Sequence, residues 1–479
     1  MNEWHDAEEH VERAHQHYEA GRWDEAESEL RKALSSNPYQ IEWHFNLGLT
    51  LDAAGRFEDA VEAFKQAHAL EPDDAQICVM LGVASLKAGH AQESLVWLSH
   101  AERRVEHRSG EQGETGGAMP PRSTSEIATS IAVHRIEALA TLGRHEEAET
   151  AFYMAQQIET QSAPLYAAMA DSLLDRGLDE KAIWCLREAG RLDPELPRIH
   201  ARLAEAYAST GRLERARTLY FQELRRDPGD IDSLLDLGDL LIRMERLPEA
   251  AEKFRRVLEI EPEDPDAHFG LGEVAHRQGH LEAAISAFNV VLRLDARHRG
   301  VRPRLAELLV ARAKDRDLAE ARRLLRHELR DLRKDADSPK GSDPDPEALE
   351  EMGRLFLDVS LPAEASGVLR WLLEMAPEHA AGVHLLGAAR FRMGDREGGM
   401  EHARRAIELD GGNVRAMHNL AMGYLQQGQW TRARFWVEKA RALDPDDASL
   451  RRLSMRLRLW AVADVFHWVA RRVRGGKGE

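Results

Sequence analysis

Six acidic side chains, Glu137, Asp171, Glu205, Asp239, Glu273 and Glu307, follow one another at intervals of 34 residues. If folding turns them to one side, such a row of carboxylates would attract a basic, extended peptide by complementary potential. The same spacing suits a merely solvated helix face, where acidic residues are also common. A second group is apolar: Phe45, Leu49, Val79, Val83 and Leu86, with Val11 and Met80. Left uncovered, these would form an interaction patch. Candidates for catalysis are fewer. No H-E-x-x-H, C-x-x-C, G-x-S-x-G or P-loop string occurs. His10 and His17 are two helical turns apart with His15 beside them, but no third metal ligand accompanies them. Asp343-Pro344-Asp345-Pro346-Glu347 lacks the central glycine and later ligands of a calcium loop. The expectation is no catalytic centre, no metal and no cofactor.

The elements that must position these groups show first in the glycines. Gly21, Gly55 and Gly89 are 34 residues apart, as are Gly143, Gly177 and Gly211. Gly279 extends the second series past a slot filled by Glu245, and Gly394 and Gly428 make a third. Five residues behind stand Ala26, Ala60, Ala148, Ala182, Ala216, Ala250, Ala284 and Ala433. A third column is Pro38, Pro72, Pro194, Pro228, Pro262, Pro377 and Pro445. Between prolines, apolar residues recur at three- and four-residue spacing, as in His44-Leu47-Leu51 and Ala60-Phe64-Ala67, the mark of two amphipathic helices. Glycine suits the left-handed turn that ends the first helix, and proline ends the second. Small residues such as Gly48, Gly82, Gly238 and Gly272 would let the helices approach closely.

This pattern resembles the tetratricopeptide repeat (TPR) family, best over residues 41–74, where Leu47, Gly48, Ala60, Phe64, Ala67 and Pro72 are all in place. The resemblance covers about nine-tenths of the chain and implies an all-α, right-handed superhelical solenoid of about twelve helix-turn-helix repeats with a C-terminal capping helix. Units begin near residues 7, 41, 75, 129, 163, 197, 231, 265, 299, 346, 380 and 414. The unit from 299 needs about three extra residues in its turn, between Ala313 and Asp317. Repeats 1–3 then occupy 1–103, repeats 4–9 occupy 129–333 and repeats 10–12 occupy 347–447. A flexible Gly/Pro-rich insertion is expected over 104–128, an Asp/Pro-rich one over 334–346, and a basic amphipathic helix and tail over 448–479. The string Gly270-Leu271-Gly272-Glu273-Val274-Ala275 mimics a dinucleotide fingerprint, yet it falls inside the first helix of the eighth repeat with no strand before it.

In this family, the resemblance implies, positions 2, 5, 6, 9, 12 and 13 of each unit face the concave groove. The acidic column is position 9, joined by Asp232, Asp236 and Asp266 and interrupted by Arg202, Arg243 and Arg277. The apolar group lies at such positions in the first three repeats, and His384, Phe391, His418, Asn419, Met422 and Leu425 in the last two. The lysine and asparagine pattern by which some TPR domains hold a terminal carboxylate is missing save Asn46. The asparagine ladder of the sugar-transferring members is reduced to Asn46 and Asn419.

Composition bounds the rest. A net charge of −18 is against sequence-independent nucleic-acid binding. No apolar run approaches the roughly 20 residues of a membrane span, and the N-terminus shows neither the basic nor the apolar region of a secretory signal. Two cysteines, Cys78 and Cys185, are consistent with a reducing compartment. Arginine outnumbers lysine 55 to 10, which points to a GC-rich, bacterial genome. Residues 449–474 carry apolar stripes with a basic excess, so they suit a cap, a membrane-surface helix or docking into another subunit. Trp460, Phe466, Trp468, Arg471 and Arg472 are the residues for the latter two roles. The functional expectation is a cytoplasmic, non-catalytic scaffold that binds partner proteins or basic, extended peptides in its groove. Its alternatives are a peripheral membrane assembly factor anchored by the C-terminal helix and an accessory subunit of an enzyme complex.

Overall fold

The computed structural model describes residues 2–110, 124–158, 161–337 and 344–457, with backbone alone at 2–6, 106–110, 124–125 and 158. No strand occurs among the described residues. The helices divide into two compact units, Met1–Arg246 and Leu247–Glu479. The division falls in the turn inside the seventh repeat, at neither of the two insertions.

The first unit pairs α1 (Asn2–Glu19) with α2 (Trp23–Ser36), α3 (Ile41–Ala53) with α4 (Phe57–Leu70), and α5 (Ala75–Lys87) with α6 (Ala91–Gly110). It goes on to α7 (Thr124–Thr141) with α8 (His145–Ile158) and α9 (Ala163–Leu174) with α10 (Asp179–Leu192). It closes with α11 (Ile199–Ser209), α12 (Leu213–Arg226) and α13 (Ile231–Arg243). The second unit opens on α14 (Leu247–Ile260), then pairs α15 (Pro265–Arg277) with α16 (Leu281–Leu294) and α17 (Val301–Arg312) with α18 (Asp317–Ala336). After these come α19 (Pro346–Asp358) with α20 (Pro362–Met375), α21 (Ala380–Arg392) with α22 (Arg396–Leu409), and α23 (Val414–Gln426) with α24 (Trp430–Leu443). A last helix, α25, spans 448–457. Within each unit the pairs stack on one another, which is an all-α solenoid architecture.

The turn within a pair explains the glycine column. At Gly55 (φ 74°) the chain enters the left-handed region, Gly55 N–H donates to Asp52 O and Arg56 N–H to Leu51 O at 2.9 Å. That is the two-bond closure of a Schellman motif, and it satisfies carbonyls the helix leaves open. Three slots of the same register lack glycine yet keep a positive φ: Glu245 at 57°, Ala313 at 52° and Ser360 at 60°. Ala313 is followed by a second left-handed residue, Arg316, and this double reversal takes up the additional residues before α18.

Packing explains the other columns. Ala26, Ala60, Ala148, Ala182, Ala216, Ala250, Ala284 and Ala433 are all 0% exposed. Four residues on from Ala60 and Ala284, Phe64 and Phe288 are fully buried and press on glycines of the preceding first helix. A Cβ on Gly48 or on Gly272 would stand 2.5 Å from the ring of Phe64 or Phe288, so both positions require glycine. The string that mimics a nucleotide fingerprint therefore lies within α15, and its second glycine is a helix-packing residue.

Two expected boundaries are corrected. Helix α6 continues to Gly110 and α7 begins at Thr124, so both edges of the expected loop 104–128 are helical. Val105 and Ile127 account for this, because each packs on the cluster of Cys78, Val79, Leu98, Ala101 and Ile131. Likewise α18 runs on to Ala336, and Pro346 is the first residue of α19, capped by Asp345, whose carboxylate accepts from Glu347 N–H at 3.2 Å.

Candidate partner-binding surfaces

The first helices of successive repeats carry the acidic column, but the structure treats its members differently. In the first unit Glu137 on α7 accepts from His134 at 2.8 Å, and Asp171 on α9 is paired with Arg202 of α11. Arg202 also donates to Ala167 O, and Arg243 donates to Ala208 O, so each arginine is tied to the preceding first helix. Glu205 on α11 and Asp232, Asp236 and Asp239 on α13 are exposed. Glu205 has no ion-pair partner among the described residues, whereas Asp232 pairs with Arg198.

Asp236 is the focus of that group. Tyr220, a buried residue of α12, shares a hydrogen bond with it. The crowding of protein around its carboxyl, the nearby charge of Glu205, and then Asp239 and Asp232 push its pKa up to about 6, against the pull of Arg198. Its side chain also reaches solvent, and the repulsion of Glu205, Asp239 and Asp232 adds to the effect of that crowding.

The second unit neutralises its share. Arg304 on α17 lies 3.2 Å from Glu273, 3.3 Å from Glu307 and 3.2 Å from Glu351. Arg354 on α19 adds contacts to Glu307 at 3.4 Å and to Glu351 at 3.6 Å. Burial opposes the charge of Arg304, but Glu273, Glu351 and Glu307 hold its guanidinium above the ordinary value. Sequence reading missed both arginines as partners. Arg304 was readable at three residues from Glu307, whereas Arg354 is 47 residues away and reaches it through stacking alone.

The apolar group divides too. Phe45 and Val79 do not face solvent; each is 5–6% exposed. Phe45 meets the Phe64 ring edge-on at 5.4 Å, and Val79 packs with Cys78 and Leu98. Leu49, Val83 and Leu86 remain half-buried, as do Val11 and Met80. In the last repeats His384, Phe391, His418, Asn419 and Met422 do line one cleft of about 680 Å³, with Arg354, Arg392 and Arg415 on its walls. Burial, then Arg415, lowers the His384 pKa to about 4, and its Nδ1 has no hydrogen-bond partner. Trp460, Phe466, Trp468, Arg471 and Arg472 lie outside the described residues.

The three N-terminal histidines serve local bonds: His10 to Glu29 at 2.6 Å, His15 to Glu19 at 3.3 Å, and His17 as acceptor from Arg22 at 3.0 Å. Among the described residues no group of three histidine, cysteine or acidic side chains is placed to hold a metal ion. Both cysteines are buried, and burial pushes each thiol up to about 11. No described helix is long and apolar enough to cross a membrane.

Two family models, both described as tetratricopeptide repeat, match this chain. One covers residues 11–75, 167–231 and 235–298, and the other 51–106 and 390–457. Together they span more than half of the sequence. The chain belongs to the tetratricopeptide repeat family. TPR stacks are protein–protein interaction modules, and this chain is built as one. No curated protein matches it. Among solved structures it is similar to the APC/C hetero-tetramer Cut9-Hcn1, with 14% identity, 94% of this chain and 96% of that chain covered, and a TM-score of 0.44. It is also similar to yeast Tom70, with 16% identity, 98% and 96% coverage, and a TM-score of 0.39.

Proposed function

We propose that this TPR protein is a non-catalytic scaffold whose face at Glu205, Asp232, Asp236 and Asp239 holds a basic, extended segment of a partner protein. One observation carries the reading: of the six-member column, Glu205 is exposed, has no ion-pair partner among the described residues and stands near the carboxyl of Asp236, whereas Glu273 and Glu307 are paired with Arg304. A lysine or arginine placed beside Glu205 and Asp236 relieves their mutual repulsion, so complementarity is to basic side chains. The alternating spacing of an extended peptide would set successive basic groups against α11 and α13 in turn.

The test is fluorescence anisotropy with a labelled ten-residue peptide of alternating lysine and serine, beside its glutamate counterpart. The lysine peptide binds and the glutamate peptide does not. Glu205→Lys with Asp236→Lys weakens binding by roughly tenfold or more, since close charge pairs couple by about 1.5 kcal/mol or above. Raising salt from 50 to 300 mM also weakens it, as expected for exposed charges. Equal affinity of the double variant and the native chain would remove this face from the function.

A further inference from the structure

A cleft between the first and second repeats differs in character from the acidic face on α11 and α13. Val11 and Tyr18 of α1 and Leu49 of α3 are half-buried and line a cavity of about 640 Å³. That is within the range of about 300–1,000 Å³ occupied by ligand pockets. Glu8 and Glu12 of α1 and Glu42 of α3 stand on its rim, all exposed. Among the described residues none of the three has an ion-pair partner and no lysine or arginine lines the cleft. On α2, by contrast, Glu27 is paired with Arg31 at 2.8 Å and Glu29 with Lys32 at 2.5 Å. An apolar floor with a rim of one sign calls for an occupant that is apolar and basic.

The chain itself carries such a segment. Residues 458–474 contain Trp460, Phe466 and Trp468, with Arg458, Arg471, Arg472 and Arg474 against the single acid Asp464. We infer that the cleft between α1 and α3 receives residues 458–474 of a second copy of this chain. Trp460 or Phe466 fills the space over Val11, Tyr18 and Leu49, and the arginines face Glu8, Glu12 and Glu42. A second copy is favoured because in repeat arrays each unit contacts its neighbours, and the cleft lies between the first two repeats while the segment follows the twelfth. The contact is heterologous, head to tail, so it builds chains or a closed ring rather than a two-fold dimer.

The experiment has two arms on the full-length chain. In the first, a fluorescein-labelled synthetic peptide of residues 458–474 is titrated into the protein and anisotropy is read. It saturates, and Glu12→Lys with Glu42→Lys weakens it roughly tenfold, whereas Glu397→Lys with Glu401→Lys on the exposed side of α22 leaves it unchanged. Leu49→Asp is the second variant, chosen because Leu49 is half-buried and its helix is otherwise anchored. A peptide with Trp460→Ala and Phe466→Ala binds at least tenfold more weakly. In the second arm, sedimentation velocity shows mass rising with protein concentration, and excess unlabelled peptide returns it to one chain. Monomer at every concentration overturns the inference, since the segment then acts in its own chain or on another surface. Peptide affinity unmoved by both cleft variants overturns it equally. So does co-sedimentation of monomeric protein with phosphatidylserine vesicles in place of self-association.

Discussion

The carboxyl of Asp236 holds its proton more tightly in the folded chain than in the unfolded one, because protein crowds it and Glu205, Asp239 and Asp232 repel its charge. Its contribution to stability is therefore full below the unfolded value near 3.8 and is lost as pH rises through about 6. Asp236→Asn should raise the melting temperature at pH 7.5 and give no gain at pH 4. A gain independent of pH would show that charge repulsion is not the cause. Binding has the opposite sense: protonation of Asp236 below pH 6 should weaken capture of the lysine peptide. His384 runs the other way from Asp236. Burial, then Arg415, depresses its pKa from 6.5 to about 4, so stability is present above 6.5 and is lost as pH falls towards 4. The loss amounts to about 3 kcal/mol at full effect. Thermal melts of His384→Gln should lack that acid-side loss relative to the native chain, with equal stability of the two at pH 7.5 not required.

Helix pairs here depend on one close contact and one turn. Replacing Gly48 with alanine places a methyl 2.5 Å from the Phe64 ring, and the aromatic cannot retreat because it is fully buried. Overpacking of this kind costs about 1–3 kcal/mol, so urea unfolding of Gly48→Ala should shift to lower concentration. Gly55→Ala acts differently, since nothing lies within reach of a new Cβ and the cost is wholly backbone. Ser360 gives the converse test. It occupies a left-handed turn that glycine fills in nine other repeats, and Ser360→Gly should stabilise the second unit by about 1 kcal/mol. Unchanged or lower stability would mean that the serine side chain offsets its own strain.

A stack held by neighbour contacts need not unfold all at once. The two units have separate hydrophobic clusters, with Ala148, Phe152 and Leu186 in one and Phe288, Leu325 and Phe356 in the other. Tryptophan offers a probe in each: Trp97 in the first and Trp371 in the second. Single-tryptophan variants that retain one or the other should report different denaturant midpoints, with circular dichroism spanning both. Coincident midpoints would establish a single cooperative unit. Exposed ion pairs such as Arg56 with Asp59 at 2.5 Å are screened by water and add little to this balance.

Repeat register was readable from the chain alone because it rests on local requirements. A left-handed turn needs glycine, close helices need alanine or glycine, and both recur at a fixed interval in covalent order. Even where glycine is missing, Glu245, Ala313 and Ser360 inherit the turn from their place in the register. The helical ends at 104–110 and 124–128 escaped notice because glycines and polar residues between them drowned the signal of Val105 and Ile127, whose reason for being helical is a shared core. Exposure of the apolar group was likewise beyond sequence. Helix α5 is apolar nearly all round, with Ile77, Cys78, Val79 and Leu81 all buried, so periodicity could not say which side faced water. Charge made the largest difference. The six acids look alike along the sequence, and stacking alone brought Arg354 to Glu307 while leaving Glu205 without an ion pair among the described residues. Covalent order fixes what repeats; which carboxylates meet an arginine depends on neighbours that folding brings from other repeats.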